Sequence, residues 1–131
     1  ADKKAAKGWK YLGDKWYYLD DTSSKMVTGW KKTATQNWFY LDPQNGDMKT
    51  GWQFVNNQWY YLDPTNGDMK IDWQFINNKW YYLDRTNGNM KTGWLKWNNN
   101  WYYMDTKNGD CLINTITPDG YTTDENGAWI P

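Results

Sequence analysis

The stretch GWQFVNNQWYYLD, residues 51–63, decides how this chain folds. Two runs rich in aromatic residues flank Asn56-Asn57. Asparagine tolerates positive φ, so two of them between β-prone runs predict a tight hairpin turn. With those two as the loop, Val55 lies opposite Gln58, Phe54 opposite Trp59, and Trp52 opposite Tyr61. Side chains alternate along a strand, so Trp52, Phe54, Trp59 and Tyr61 share one face. Gln53, Val55, Tyr60 and Leu62 take the other, where Tyr60 and Leu62 are expected in the core.

The same pattern recurs on both sides. GWKYLGDKWYYLD fills 8–20, with Gly13-Asp14 as the turn, and DWQFINNKWYYLD and GWLKWNNNWYYMD fill 72–84 and 93–105. GWKKTATQNWFYLD at 29–42 carries one extra residue in its loop, 33–37, which should be longer. Trp9, Trp30, Trp52, Trp73 and Trp94 recur every 21 or 22 residues, as do Trp16, Trp38, Trp59, Trp80 and Trp101. A period of this length marks stacked supersecondary units. The linkers DPQNGDMKT (42–50), DPTNGDMKI (63–71) and DRTNGNMKT (84–92) are of a second type, in which Asp-Pro opens a turn and Asn-Gly reverses the chain.

The expected organisation is five units at about 8–28, 29–50, 51–71, 72–92 and 93–113, followed by a degenerate terminal repeat or cap at 114–131. Residues 1–7, ADKKAAK, read as a linker or a processed N-terminus without an apolar signal segment. A lone two-stranded hairpin is marginal in water, so stability must come from stacking each hairpin on the next. The fold class is therefore all-β, a solenoid of stacked β-hairpins with little helix.

Composition narrows the function. Of 131 residues, 12 are Trp and 11 are Tyr, yet mean hydropathy is −1.08, so rings rather than aliphatic side chains carry the apolar surface. Fifteen basic and fifteen acidic residues cancel, which argues against the basic excess a nucleic-acid binder needs. No run of apolar residues is long enough to insert in a membrane as a helix. Histidine is absent, Glu125 is the sole glutamate, and there is neither a phosphate loop nor a metal-ligand cluster. Catalysis by this chain is not expected, and no cofactor or metal is implied. A single cysteine, Cys111, excludes a disulfide framework.

A purely structural repeat has no need of tryptophan at two fixed positions per unit. Tryptophan is the best ring partner for a cation, and a wall of several rings suits a quaternary ammonium, which has no N–H to donate. The methionine that follows each Trp-Tyr-Tyr adds a soft thioether to such a lining.

The pattern GW-x(6–7)-W-Y-Y-L-D-x-x-N-G-x-M-x-T-GW, repeated in register over residues 8 to about 111, resembles the choline-binding repeats of Gram-positive surface proteins and phage lysins. That resemblance implies a left-handed superhelix of hairpins. It implies an extracellular protein of the cell wall, binding choline as the phosphocholine of teichoic and lipoteichoic acids and anchoring itself or an attached module. A catalytic module ahead of residue 1 is compatible with it. Each site would combine the Gly-Trp ring and the first triplet ring of one repeat with the third triplet ring and methionine of the next. Carried over, the first site is Trp9, Trp16 and Tyr40 with Met48; the second is Trp30, Trp38 and Tyr61 with Met69. The third is Trp52, Trp59 and Tyr82 with Met90. The fourth is Trp73, Trp80 and Tyr103, with the shorter Cys111 in the methionine position.

Asp72 replaces the glycine before Trp73, a change that can alter the local backbone. In the fifth unit, adding 21 to Trp94, Trp101 and Tyr103 gives Thr115, Thr122 and Asp124, so the third wall is expected to be missing. The tail reads as a cap with a DENGAW turn in which Trp129 takes the methionine position. In some relatives terminal hairpins pair two chains, so the resemblance allows a homodimer through the C-terminal repeats, or a buried inert thiol at Cys111. The alternative class is a carbohydrate-binding repeat of the glucan-binding or clostridial-toxin type, which shares the hairpin but favours polar side chains near its rings.

Overall fold

Left-handed backbone geometry, supplied by asparagine and glycine at set intervals, bends the chain into hairpins. The computed structural model describes residues 7–131; apart from Lys7, the expected N-terminal linker lies outside them. Ten strands pair in sequence as antiparallel hairpins: β1 (Gly8–Leu12) with β2 (Lys15–Leu19), β3 (Gly29–Lys32) with β4 (Trp38–Leu41), and β5 (Gly51–Val55) with β6 (Gln58–Leu62). Next come β7 (Asp72–Ile76) with β8 (Lys79–Leu83) and β9 (Gly93–Trp97) with β10 (Asn100–Met104). The short β11 (Thr122–Thr123) and β12 (Trp129–Ile130) close the chain, and no helix occurs among the described residues. The all-β architecture of stacked hairpins read from the sequence is the one observed.

Local geometry follows the residues. Both members of Asn56-Asn57, Asn77-Asn78, Asn98-Asn99 and Gly13-Asp14 have positive φ, as a two-residue turn matched to the twist of its strands requires. The registers place Trp9 opposite Tyr18 and Tyr11 opposite Trp16, with Trp73 opposite Tyr82 and Phe75 opposite Trp80 in the fourth hairpin. The second hairpin has shorter strands and a longer loop, closed by the Thr33 amide on the Asn37 carbonyl at 2.9 Å.

Asp72 does not alter the backbone. Its φ of +69° matches the +73° to +78° of Gly8, Gly29, Gly51 and Gly93. Aspartate tolerates this region because its short carboxylate bonds locally, and here it accepts the Trp73 amide at 2.8 Å.

The linkers hold hairpins together. In the second, Asp42 Oδ1 accepts the amides of Gln44 and Asn45 at 2.9 and 2.8 Å, while the Gly46 amide donates to the Asp42 carbonyl. Asp63 and Asp84 repeat this turn. Gly46 has φ +79°, and a Cβ there would fall 2.5 Å from Met26 Sδ, so any larger residue would hold a strained backbone and push that side chain aside. The chain then bridges back: Met48 pairs with Leu41 of its own hairpin, and its amide donates 2.7 Å to the carbonyl of Trp16 in the hairpin before.

By compactness the chain divides into two units. One runs to Val55 and takes in Tyr61–Met69; the other comprises Asn56–Tyr60 and Lys70–Pro131. In the first, Tyr18, Phe39 and Leu41 form a core joined by Trp9, Val27 and Met48. In the second, Tyr82, Met104 and Cys111 play that part with Trp73, Leu95, Trp97 and Tyr102. Leu41, Leu62, Leu83 and Met104, the residues after the second to fifth triplets, are wholly buried, whereas Leu19 after the first is half-buried. The expected core pairing of middle ring with leucine holds in the second hairpin, where Phe39 is buried with Leu41; Tyr17, Tyr60, Tyr81 and Tyr102 are only half-buried. The third rings, Tyr18, Tyr82 and Tyr103, are more buried than the middle rings Tyr17, Tyr81 and Tyr102.

Candidate ligand site

Each third ring lies across its own hairpin, against the Gly-Trp indole, which leaves Tyr18, Tyr82 and Tyr103 buried and Tyr40 and Tyr61 half-buried. Centroid separations are 5.1 Å for Trp9–Tyr18, 4.8 Å for Trp30–Tyr40, 5.0 Å for Trp52–Tyr61, 5.2 Å for Trp73–Tyr82 and 5.1 Å for Trp94–Tyr103. The ring that reaches across from the next hairpin is the middle one. Phe39 stands 4.9 Å from Trp9, and Tyr102 stands 5.2 Å from Trp73. Strand alternation turns adjacent ring positions to opposite sides, so a shift of one residue exchanges an internal partner for an external one.

The first site therefore differs from expectation in one wall. A cleft of about 280 Å³ is lined by Trp9, Trp16, Phe39 and Met48, with Thr65 and Asn66 from a later linker. Trp9 and Trp16 meet edge-on, 6.3 Å apart at 87°, so the cleft presents perpendicular ring surfaces. Phe39 lines the cleft in place of Tyr40, and Trp9, Trp16 and Met48 line it together. Trp16 keeps 42% of its surface exposed, leaving an indole face free for a ligand.

The fourth site repeats this plan. Trp73, Trp80, Tyr102 and Cys111 line a cleft of about 320 Å³, joined by Ile113, by Asn126 and by Trp97. Tyr102, not Tyr103, is the wall from the following hairpin. Trp97, at the strand position that holds Val55 and Ile76 in earlier units, stands 5.9 Å from Trp73 at 85°. Its indole supplies bulk where Cys111 is shorter than methionine. Burial, with Asp110 and Asp124 nearby, pushes the Cys111 thiol up to about 11, which keeps it protonated and unreactive at neutral pH.

Of the second and third sites, the structure brings Trp30 to 6.5 Å from Trp38. Tyr61 and Tyr82, assigned there, instead face the Gly-Trp rings of their own hairpins. Met69 and Met90 hold the same backbone role as Met48, donating to the carbonyls of Trp38 and Trp59 at 2.8 and 2.7 Å. Sequence reasoning also missed Phe39, Tyr102, Trp97 and, in the cap, Tyr121. For three of these a signal was present: Phe39, Tyr102 and Tyr121 each stand three residues before the aspartate that opens the next turn, Asp42, Asp105 and Asp124.

The first and fourth clefts thus share one lining, of indoles, a ring from the following hairpin and a sulfur side chain, within a chain of repeated hairpins. The sequence matches the choline-binding repeat over residues 6–51 and 70–115, and the putative cell wall binding repeat over 50–69. The chain belongs to the choline-binding repeat family. Among solved structures it is similar to CbpJ from Streptococcus pneumoniae TIGR4, with 50% identity and a TM-score of 0.88 over 95% of this chain and 41% of that one. It is similar to CbpF of the same species in complex with ipratropium, with 44% identity and a TM-score of 0.89 over 96% and 39% of the two chains. The pneumococcal cell-wall endolysin from phage Cp-1, complexed with choline, matches with 30% identity and a TM-score of 0.63 over 99% and 39%. The chain thus spans about two fifths of these proteins. A search of curated protein sequences found no match.

Proposed function

We propose that this chain binds choline through its ring-walled clefts and so associates with the wall of a Gram-positive bacterium, the choline being phosphocholine carried on teichoic and lipoteichoic acids. The observation that carries this reading is the recurrence of one lining, two indoles, a ring from the next hairpin and a sulfur side chain, in the first and fourth clefts. A trimethylammonium group is an apolar cation with no N–H, so π faces satisfy it without a hydrogen-bond acceptor. Ipratropium, in complex with CbpF, and choline, in complex with the Cp-1 endolysin, are both quaternary ammonium compounds, in keeping with that chemistry.

The rings and sulfur hold and orient a ligand but supply no general acid or base, and this chain acts as a binding module. A cation–π contact at an exposed ring is worth about 0.5–1 kcal/mol, so a single cleft binds weakly once association costs are met. Several clefts engaging one polymer raise overall binding by factors on the order of 10²–10⁴. The module would thereby hold itself, or whatever is attached to it, at the cell surface.

Titration with choline, ethanolamine and isomalto-oligosaccharides, followed by tryptophan emission and thermal unfolding, tests the reading. Choline is expected to shift emission and raise Tm, because it binds the folded chain only, and ethanolamine is expected to act far more weakly. An equal response to the two amines removes the cation–π basis, and a response to the sugars alone assigns the clefts to carbohydrate. For the wall polymer, retention on choline-bearing teichoic acid and release by free choline is expected; release by salt alone points to ion exchange.

A further inference from the structure

The C-terminal tail builds an aromatic pocket that counting by 21 passes over. Thr123 is buried where earlier units place leucine, and it pairs with Trp129 as Leu41 pairs with Met48. A shortened hairpin precedes it, in which the Thr117 amide donates to the Tyr121 carbonyl and the Thr123 amide to the Thr115 carbonyl. Tyr121 thus occupies the position of Phe39, two residues before the buried one, and Trp129 occupies that of Met48. The third wall expected to be missing is present.

Trp94, Trp101, Tyr121 and Trp129 line a cleft of about 340 Å³. Tyr121 stands 5.7 Å from Trp94 at 66° and 6.2 Å from Trp129 at 78°. Tyr121 and Trp129 are 48% and 39% exposed, so their faces are open to a ligand. Both lie beyond the residues that match the repeat families, which end at 115.

Two features separate this pocket from the first and fourth. The indole of Trp129 stands where they have a thioether or thiol. In addition, Trp94 Nε1–H donates to Asp119 Oδ2 at 2.9 Å, and Asp119 Oδ1 accepts from Thr117 Oγ1 at 2.6 Å. The Thr117 bond, then the Trp94 bond, hold this carboxyl below the ordinary aspartate range, so it is ionised at neutral pH. An indole whose N–H is bonded to a carboxylate has a more electron-rich face, and the full negative charge beside it favours any cation in the cleft. The buried Trp73 Nε1–H of the fourth cleft has no such partner.

We propose that Trp94, Trp101, Tyr121 and Trp129 form a further site for a small quaternary ammonium ion, completed from beyond the matched repeats and binding more tightly than the first and fourth clefts. The proposal rests on the choline reading above. Choline is titrated into the whole chain with the tryptophan indole N–H resonances assigned. The Trp94 signal should move at lower choline concentration than those of Trp9 and Trp73. Trp129→Ala should abolish the Trp94 response and leave the other two, which also reports that the variant is folded. Asp119→Asn keeps an acceptor for the Trp94 N–H but removes the charge, and should weaken this site roughly two- to fivefold. A Trp94 signal that stays still while Trp9 and Trp73 respond overturns the proposal. So does a response that survives Trp129→Ala, or one that needs as much choline as the other clefts. Silence at all three indoles overturns the choline reading itself, and this site with it.

Discussion

Phe39 stands edge-on to Trp9, 4.9 Å away at 72°, although the two belong to different hairpins. Its neighbour Tyr40 turns the opposite way and lies 4.8 Å from Trp30, inside its own hairpin. Adjacent aromatic residues thus divide the work: the middle rings Phe39 and Tyr102 are offered to the preceding cleft, and the third rings lie against the Gly-Trp indole of their own hairpins. The division follows from strand alternation, and side-chain substitution separates the two roles.

Phe39→Leu keeps apolar bulk and removes the π face. Choline affinity at the first cleft is expected to fall roughly two- to fivefold, the equivalent of one ring contact at ~0.5–1 kcal/mol. Tyr40→Leu should leave that affinity alone and lower stability, since it forfeits a ring pair with Trp30 worth about 0.5–1.5 kcal/mol. Following the Trp9 indole resonance alongside Tm distinguishes them. Loss of binding with Tyr40→Leu and not Phe39→Leu would return the wall to the third ring.

At Asp72 the test is backbone geometry. With φ at +69°, Asp72→Gly removes the Cβ from a left-handed position but loses the carboxylate bonded to the Trp73 amide. The two effects oppose each other, and the expected change in stability is within about 0.5–1 kcal/mol. Asp72→Ala keeps the Cβ and loses the acceptor, so it should be the worse of the two by about 1 kcal/mol or more. Denaturant midpoints of the two variants decide; an alanine variant as stable as the glycine one would mean that position 72 tolerates a methyl group without strain.

How much of this was legible beforehand depends on whether local rules or unit-to-unit contacts decide a feature. Asn56-Asn57 and its counterparts specify a two-residue turn through φ alone, so the hairpins and the registers of the first, fourth and fifth were readable. The paired indoles Trp9 with Trp16, and Trp73 with Trp80, share a hairpin face for the same reason. Which triplet ring faces a neighbour is set by stacking between hairpins, so pairing rules within one hairpin do not decide it. Tyr121 was hidden differently: its hairpin is two residues shorter, so a fixed period overshoots it, whereas counting back from Asp124 finds it. Trp97 was passed over because a bulky residue at a strand end reads as packing until the short Cys111 beside it is seen to leave room.

Acid should loosen the turns. Amides of the following residues hold Asp20, Asp42 and Asp84 below the ordinary carboxyl range: chiefly Ser23 for the first, Asn45 for the second and Asn87 for the third. A folded-state value below the unfolded one contributes stability that is present above the unfolded value, about 3.9, and is lost as pH falls through the folded one. Tm is therefore expected to be flat from neutral pH to about 5 and to fall steadily below about 4. Asp42→Asn retains an acceptor that does not titrate, so its Tm should be lower than wild type at neutral pH and converge on it in acid. A gap that stays constant or widens on acidification would deny the carboxylate this role.

Cys111 and Trp97 should behave as one unit. Both line the fourth cleft and pack in one core, where the thiol fills the space a methionine has elsewhere and the indole occupies a position held by valine or isoleucine. Cys111→Met alone adds bulk against Trp97 and is expected to destabilise by about 1–3 kcal/mol. Trp97→Ile alone leaves the small side chain facing a void, and should cost about as much through lost contacts. Together the substitutions recreate the pairing of the other repeats, a thioether beside an aliphatic residue, so the double variant should be more stable than the sum of the singles. A coupling of about 0.5–3 kcal/mol is the expected size for groups in contact. Choline affinity at Trp73 supplies an independent readout: the double variant exchanges a ring for a thioether and should bind somewhat more weakly than the native chain. Additive stabilities from a double-mutant cycle would show that Trp97 does not compensate for the short side chain at 111.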